Sequence, residues 1–387
     1  MSGTTLFYAM DSPQPHPSTC AAFHWDMPVR VRFGDACSDS LPDELGPRPC
    51  VVLAFEAASR LGIRARWEDK LADRCLAWVE VEDGLSSLAR ADLLSQAVWP
   101  VLIEHPGAVL VALGGGSTID LAKALRCLPE DQQFASIARA IRGESRWPEM
   151  RRVPLWAVPT TAGTGSEVTR WATLWDTDCE PAIKRSLDEP WGHADRAFID
   201  PALTLSCPLA LTRDVALDTL AHALESIWNR HANPVSSQLA LAAAHGVLKH
   251  LPQCLAHPED AQTREALALA SLQAGMAFSQ TRTALAHALS YDLTARLGIP
   301  HGLACALWLP TAWSLAVGHD PETDRLLEQV FAMPAADALP ALRHWLASVG
   351  VPEGPQAVGI RDAAERVNEA LSSVRGRNFI GAEVLES

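Results

Sequence analysis

An alternation of short apolar runs with helix-patterned segments, confined to the first half of the chain, most constrains the fold. Runs at 50–55 (CVVLAF), 76–81 (LAWVEV), 108–113 (AVLVAL) and 155–159 (LWAVP) have the length and side-chain content of buried strands. A shorter run, VRVRFG, opens regular structure near Val29. Segments such as 93–105 and 118–128 separate these runs and read as helices. Strands alternating with helices predict a mostly parallel sheet covered on both faces. The pattern changes after Asp200-Pro201. Segments 214–228, 236–251, 263–278 and 334–349 are rich in Ala and Leu at helical spacing, and no strand pattern follows. The expected organisation is an N-terminal extension over 1–25, an α/β dinucleotide-binding domain over 26–203 and an all-helical domain over 204–387.

Composition narrows the function. The formal net charge is -14 without a basic block, which excludes nucleic acid and anionic membrane as partners. An anionic ligand would need a local cluster of cations. The 9 cysteines include no C-x-x-C pair, which argues against a disulfide framework and a thiolate zinc site. A reducing cytoplasm is the expected compartment. The N-terminal stretch has no signal-peptide pattern. The longest uncharged stretch, 297–319, contains Pro300 and Pro310 and reads as buried helix and loop.

Two small-residue loops follow strand-type runs. Gly114-Gly115-Gly116-Ser117-Thr118 lies between AVLVAL and a helical run. Glycines let the backbone approach a phosphate, and a helix N-terminus favours an anion, with Ser117 or Thr118 as its cap. The loop is not G-x-G-x-x-G, so a bare strand–helix turn stands as the alternative. Thr160-Thr161-Ala162-Gly163-Thr164-Gly165-Ser166-Glu167 follows LWAVP and offers hydroxyls for a pyrophosphate, ribose or amide. Both loops are expected at the carboxyl edge of the sheet, where open α/β sheets bind ligands.

Asp218 and His222 are four apart in a helical run, hence on one face. His287 lies in a second helical run and His301 in a Pro-His-Gly turn. One carboxylate and three imidazoles suit Fe(II) or Zn(II); hydrogen-bonded core histidine is the alternative.

Together, GGGSTIDLAKAL, PTTAGTGSEVT, ALDTLAHALE and HALSYDLTARLGIPHG resemble the iron-containing (group III) alcohol dehydrogenase family over roughly 28–320. The resemblance implies the dehydroquinate synthase-like fold: an α/β dinucleotide-binding domain plus an all-α domain, with cofactor and metal in the cleft. It assigns Asp218, His222, His287 and His301 to the metal, iron with zinc as the alternative. It assigns Glu56, Gly114, Gly115, Gly116, Ser117, Asp120, Thr160, Thr161, Thr164, Thr169 and Lys184 to the nicotinamide cofactor. Glu56 stands where a carboxylate accepts from ribose hydroxyls, so NADH is favoured over NADPH. Many members carry a further histidine where this chain has Tyr291, which is expected to line the site or relay a proton.

Within the family the segments 220–236 and 281–307 look most like phosphonoacetaldehyde reductases. Arg282 is expected on the His287 helix, about 140° round from that ligand at 3.6 residues per turn. With Thr283 facing the metal and Arg170 or Arg185 helping, it is expected to hold an anionic head group. The expected reaction is metal-dependent reduction of phosphonoacetaldehyde to 2-hydroxyethylphosphonate by a cytoplasmic homo-oligomer, in the simplest case a dimer. Alternatives are a short-chain alcohol dehydrogenase, a lactaldehyde-type reductase, a dehydroquinate synthase-like lyase and a metal-free binding protein.

Overall fold

The structure is a computed structural model that describes residues 22–385. The expected extension therefore lies, over residues 1–21, outside the described residues. The strands are β1 (Arg30–Phe33), β2 (Cys50–Phe55), β3 (Cys75–Val81), β4 (Val109–Gly114), β5 (Cys127–Pro129), β6 (Met150–Arg152), β7 (Leu155–Pro159), β8 (Trp171–Asp176), β9 (Ile183–Asp188) and β10 (Arg196–Ile199). The helices are α1 (Leu41–Leu45), α2 (Ile63–Leu71), α3 (Leu88–Glu104), α4 (Gly116–Leu125), α5 (Phe134–Arg142), α6 (Leu209–Ile227), α7 (Pro234–Ala256), α8 (Ala261–Thr281), α9 (Leu285–Leu297), α10 (His301–Ala316), α11 (Pro321–Phe331), α12 (Leu339–Ser348) and α13 (Ala363–Ser372).

A six-stranded sheet of order β1-β10-β7-β4-β2-β3 carries the first half, with every pairing parallel. Its inner strands β2, β4 and β7 are apolar throughout because both faces are covered. In β2, Val51 and Leu53 join the core on one face, while Cys50, Val52 and Ala54 join the other. Among the described residues, no strand of a sheet follows Ile199. A separate core built on Trp228, Trp308, Trp313 and Phe379 holds the helices of the second half.

Three local expectations fail. The helix expected over 118–128 stops at Leu125, and Cys127–Pro129 pair antiparallel with β6. Pro129 cannot continue a helix and biases the residue before it toward extended backbone. The segment 334–349 is helical only from Leu339. The antiparallel hairpin of β8 and β9 is unannounced by the hydrophobic pattern, because β9 carries Lys184 and Arg185 mid-strand. This hairpin lies outside the main sheet and supplies much of the cavity wall described next.

Candidate active site

A cavity of about 940 Å³ opens between the carboxyl ends of β4 and β7, the β8–β9 hairpin and helices α6, α8, α9 and α10. That volume is at the upper end of ordinary ligand pockets, sufficient for a cofactor with a small substrate.

At one end stands the glycine loop. Gly115 is the N-cap of α4 and no side chain caps the helix, contrary to the Ser117 or Thr118 cap expected. Gly116 and Ser117 reach the cavity wall. A Cβ on Gly116 would lie 2.6 Å from Thr164, so glycine is what lets the two loops close on each other. Thr164, Ser166 and Thr169 form the facing wall. Asp120 ties the parts together, accepting from Ser166 Oγ at 2.6 Å and from the Thr173 amide at 2.8 Å. Its assigned role therefore shifts from contact alone to holding the loops. Five assigned residues are not part of this wall: Glu56, Gly114, Gly115, Thr160 and Thr161. Thr160 donates its amide to the Gly114 carbonyl, and Thr161 packs against Gly115. Glu56 opens the turn after β2, half exposed and 4.0 Å from Arg60.

At the other end the four proposed ligands converge. Asp218 Oδ1 lies 3.9 Å from His222 Nε2, 3.4 Å from His287 Nε2 and 3.9 Å from His301 Nε2. Asp218 and His222 project from consecutive turns of α6, His287 from the first turn of α9, and His301 from the start of α10. The α10 terminus reaches α6 only through Gly302. A Cβ there would lie 1.8 Å from the Asp214 carbonyl oxygen and 2.8 Å from the Asp218 amide.

The residues present fit a divalent metal. Asp218 Oδ1 and His287 Nε2 are buried and make no hydrogen bond. Tetrahedral sites with bonds of about 2.1 Å have ligand–ligand edges of about 3.4 Å, the scale seen here. His287 Nδ1 donates to Glu225 Oε2 at 2.7 Å, which turns Nε2 toward the cluster. Glu225 is fixed in turn by the amides of Ala284 and His287.

The electrostatics agree. Burial alone would raise the Asp218 carboxyl, but His222, His287 and His301 outweigh it and hold it below the usual range. Burial lowers the His222 imidazole to about 4, against the pull of Asp218. His222 is clamped in a stack, 4.0 Å from Phe278 and 4.5 Å from His287 between ring centroids.

Three residues escaped sequence reasoning. Glu225 lies three positions after His222 in α6, buried and paired with His287. Cys305 lies one turn after His301, and its Sγ joins the ligand atoms of Asp218, His287 and His301 within 4.8 Å of one another. Asp188, on β9, occupies the place expected to be cationic. Arg282 donates to its Oδ2 at 2.9 Å and Arg170 approaches Oδ1 at 2.8 Å.

Arg282 itself is displaced from its expected place. It ends α8 at φ 69° and is not on the His287 helix, so the 140° offset does not apply. Thr283 falls in the same break, on the cavity wall but not on a helical turn. Arg170 is outside the wall, and Arg185 faces Asp176 at 3.5 Å. Tyr291 does line the cavity, its ring parallel to His301 within 14° and 6.0 Å away.

Two family models match the chain: Iron-containing alcohol dehydrogenase over residues 28–201, and Fe-containing alcohol dehydrogenase family, C-terminal, over 212–377. The probable alcohol dehydrogenase EutG of Escherichia coli K12 is 34% identical over 62% of this chain and 64% of its own length. An alcohol dehydrogenase of Thermococcus barophilus is 30% identical over 71% of this chain and 72% of its own. The chain spans between about half and two thirds of the lengths of the first curated relatives it matches. In fold it is similar to a sulfoacetaldehyde reductase from Bifidobacterium kashiwanohense, solved with NAD+. The TM-score is 0.81 at 23% identity, covering 95% of this chain and 98% of that one. Among the described residues no helix is long and apolar enough to cross a membrane.

Proposed function

The chain belongs to the iron-containing alcohol dehydrogenase family, and from that premise we propose a metal-dependent oxidoreductase that passes hydride between a nicotinamide cofactor and a small aldehyde or alcohol. The substrate of this reading is phosphonoacetaldehyde, reduced to 2-hydroxyethylphosphonate. Aldehyde, NADH and one proton yield the alcohol and NAD+. One observation carries the proposal: the ring nitrogens of His222, His287 and His301 lie within 3.4–3.9 Å of Asp218 Oδ1, in the same cavity that the glycine and threonine loops line.

Asp218, His222, His287 and His301 would hold Fe(II), with Zn(II) as the alternative, and Cys305 Sγ stands beside them. A divalent metal bound there supplies Lewis acidity toward a carbonyl oxygen, and the nicotinamide supplies the hydride. The residues do the rest. Gly116 and Ser117, at the uncapped start of α4, would receive the pyrophosphate. Thr164, Thr169 and Lys184 border the path from there to the histidines. Glu56 follows the carboxyl end of β2, the strand that pairs with β4, and from outside the cavity wall it would accept from ribose hydroxyls and favour NADH. The Tyr291 phenol, beside His301, delivers the proton to the product oxygen. Phe278 and Trp171 keep water from the histidine side of the cavity.

The test is purified protein loaded with Fe(II) or Zn(II) and assayed with NADH or NADPH against phosphonoacetaldehyde, lactaldehyde and neutral short-chain aldehydes. Metal-dependent oxidation of NADH by an aldehyde is expected. No turnover of any aldehyde by metal-loaded protein would overturn the reading.

A further inference from the structure

Three cations reach the cavity wall: Lys184, Arg282 and Arg375. Arg282 is spent on Asp188, which Arg170 shares, so an anion arriving there would meet a carboxylate. Lys184 and Arg375 differ. Among the described residues, neither makes an ion pair with a carboxylate. Both flank Tyr291. Lys184 Nζ lies 4.2 Å from its ring centroid and the Arg375 guanidinium carbon 4.9 Å. The same ring stacks on His301, so the two positive groups stand one aromatic ring away from the histidine cluster.

Their placement is built by the backbone. Lys184 and Ser186 alternate along β9 and so share one face. Ser186 Oγ accepts from Arg375 Nη2 at 3.3 Å, which joins that strand to the C-terminal segment. Arg375 precedes a tight turn whose Gly376 leaves no room for a side chain, since a Cβ would lie 1.9 Å from the Ala370 carbonyl oxygen. Asn378, three residues on, donates to the Thr283 carbonyl at 2.8 Å and anchors the turn to the break between α8 and α9.

We propose that Arg375 and Lys184 form the subsite for a tetrahedral anionic head group, a phosphonate or sulfonate, carried two or three bonds from the substrate carbonyl. This deepens the aldehyde-reductase reading and rests on it. A guanidinium and an ammonium offer directional donors to such an oxyanion, and in a chain of net negative charge these two reach the wall without a carboxylate of the described residues at ion-pair distance. The same chemistry would suit a phosphate of the cofactor, and the experiment separates the two sources.

Arg375→Ala and Arg375→Lys are compared with the parent protein. The readouts are KM for phosphonoacetaldehyde, KM for propanal, and the dissociation constants of NADH and NADPH. Losing a hydrogen bond to a charged group should raise KM for phosphonoacetaldehyde about 10- to 150-fold in Arg375→Ala, a rise at least tenfold larger than for propanal. Arg375→Lys should recover part of the loss. As a reading independent of turnover, 2-hydroxyethylphosphonate should protect the parent protein from thermal unfolding and protect Arg375→Ala much less. Equal changes for both aldehydes would overturn the inference while leaving the aldehyde-reductase reading intact. Weakened NADH or NADPH binding with an unchanged aldehyde ratio would also overturn it, assigning the cations to the cofactor. A parent protein that reduces no aldehyde would overturn the functional reading and this one with it.

Discussion

At the scale of single residues, Glu225 is the most consequential group that the sequence concealed. Nothing in ALESIW distinguishes a buried carboxylate from the exposed face of a helix. Its meaning comes from His287, 62 positions away. By holding the Nδ1 proton, Glu225 fixes the tautomer that turns Nε2 toward Asp218. Partners of this kind are worth 10- to 100-fold in metal affinity, so Glu225→Gln should weaken Fe(II) or Zn(II) binding by roughly that factor. A competitive metal titration of folded protein measures it, and unchanged affinity would make Glu225 a helix tie only. Of the four proposed ligands, Asp218 and His222 were legible as a pair because a four-residue spacing on a helix carries geometric information, whereas the resemblance joined His287 and His301 to them. Tyr291 was legible only as a departure from the family pattern. Arg375, beyond the region of resemblance, was not legible at all.

A second residue makes a pH prediction. Glu167 is buried in the threonine loop, and burial pushes its carboxyl from 4.5 to about 7, with Lys123 acting in the opposite sense. The folded state therefore holds this proton more tightly than the unfolded chain. Stability falls as pH rises from the ordinary value through about 7, by about 3 kcal/mol in all. Lys123, lowered to about 8, still carries its proton through most of this window. Glu167→Gln should flatten the dependence of the thermal midpoint on pH between about 5 and about 7. Identical slopes in the two proteins would show that the carboxyl is already ionised there.

At the scale of elements, the parallel sheet and the helical second half followed from periodicity, because strands buried on both faces must be apolar and packed helices must be striped. The pattern failed where tertiary structure overrides it. The β8–β9 hairpin is half polar since one of its faces borders the cavity. The α8–α9 break looks helical in sequence, yet Arg282 adopts a positive φ there. That single turn moved Arg282 from the substrate to Asp188. Close approach of helices is equally hidden, and Gly302 is the case that matters for the site. Gly302→Ala should push α10 from α6, lower the thermal midpoint, and reduce bound metal per chain, with overpacking costing about 1–3 kcal/mol. Gly107→Ala, where a Cβ meets nothing within 4 Å, is the matched control. Full metal content and stability in Gly302→Ala would mean that the contact relaxes without moving His301.

At the scale of the whole molecule, the active-site cavity lies between two chemically different walls. The sheet side offers backbone amides and hydroxyls at a helix start. The helical side offers imidazoles, a carboxylate and a thiol. Neither wall alone would perform hydride transfer, and the cavity is where the two halves meet. In a chain of net negative charge, an anionic substrate would depend on the cations that no carboxylate has claimed, so pairing, and not proximity in sequence, decides among the arginines. The central claim is that hydride passes directly from the nicotinamide to a carbonyl carbon in this cavity. The most direct measurement uses NADH deuterated at the transferring position, metal-loaded protein and phosphonoacetaldehyde, with the alcohol product examined by mass spectrometry. An alcohol carrying one deuterium from the cofactor is expected, and none formed by His287→Ala. An alcohol without the label, or no alcohol from phosphonoacetaldehyde or any other aldehyde, would contradict it.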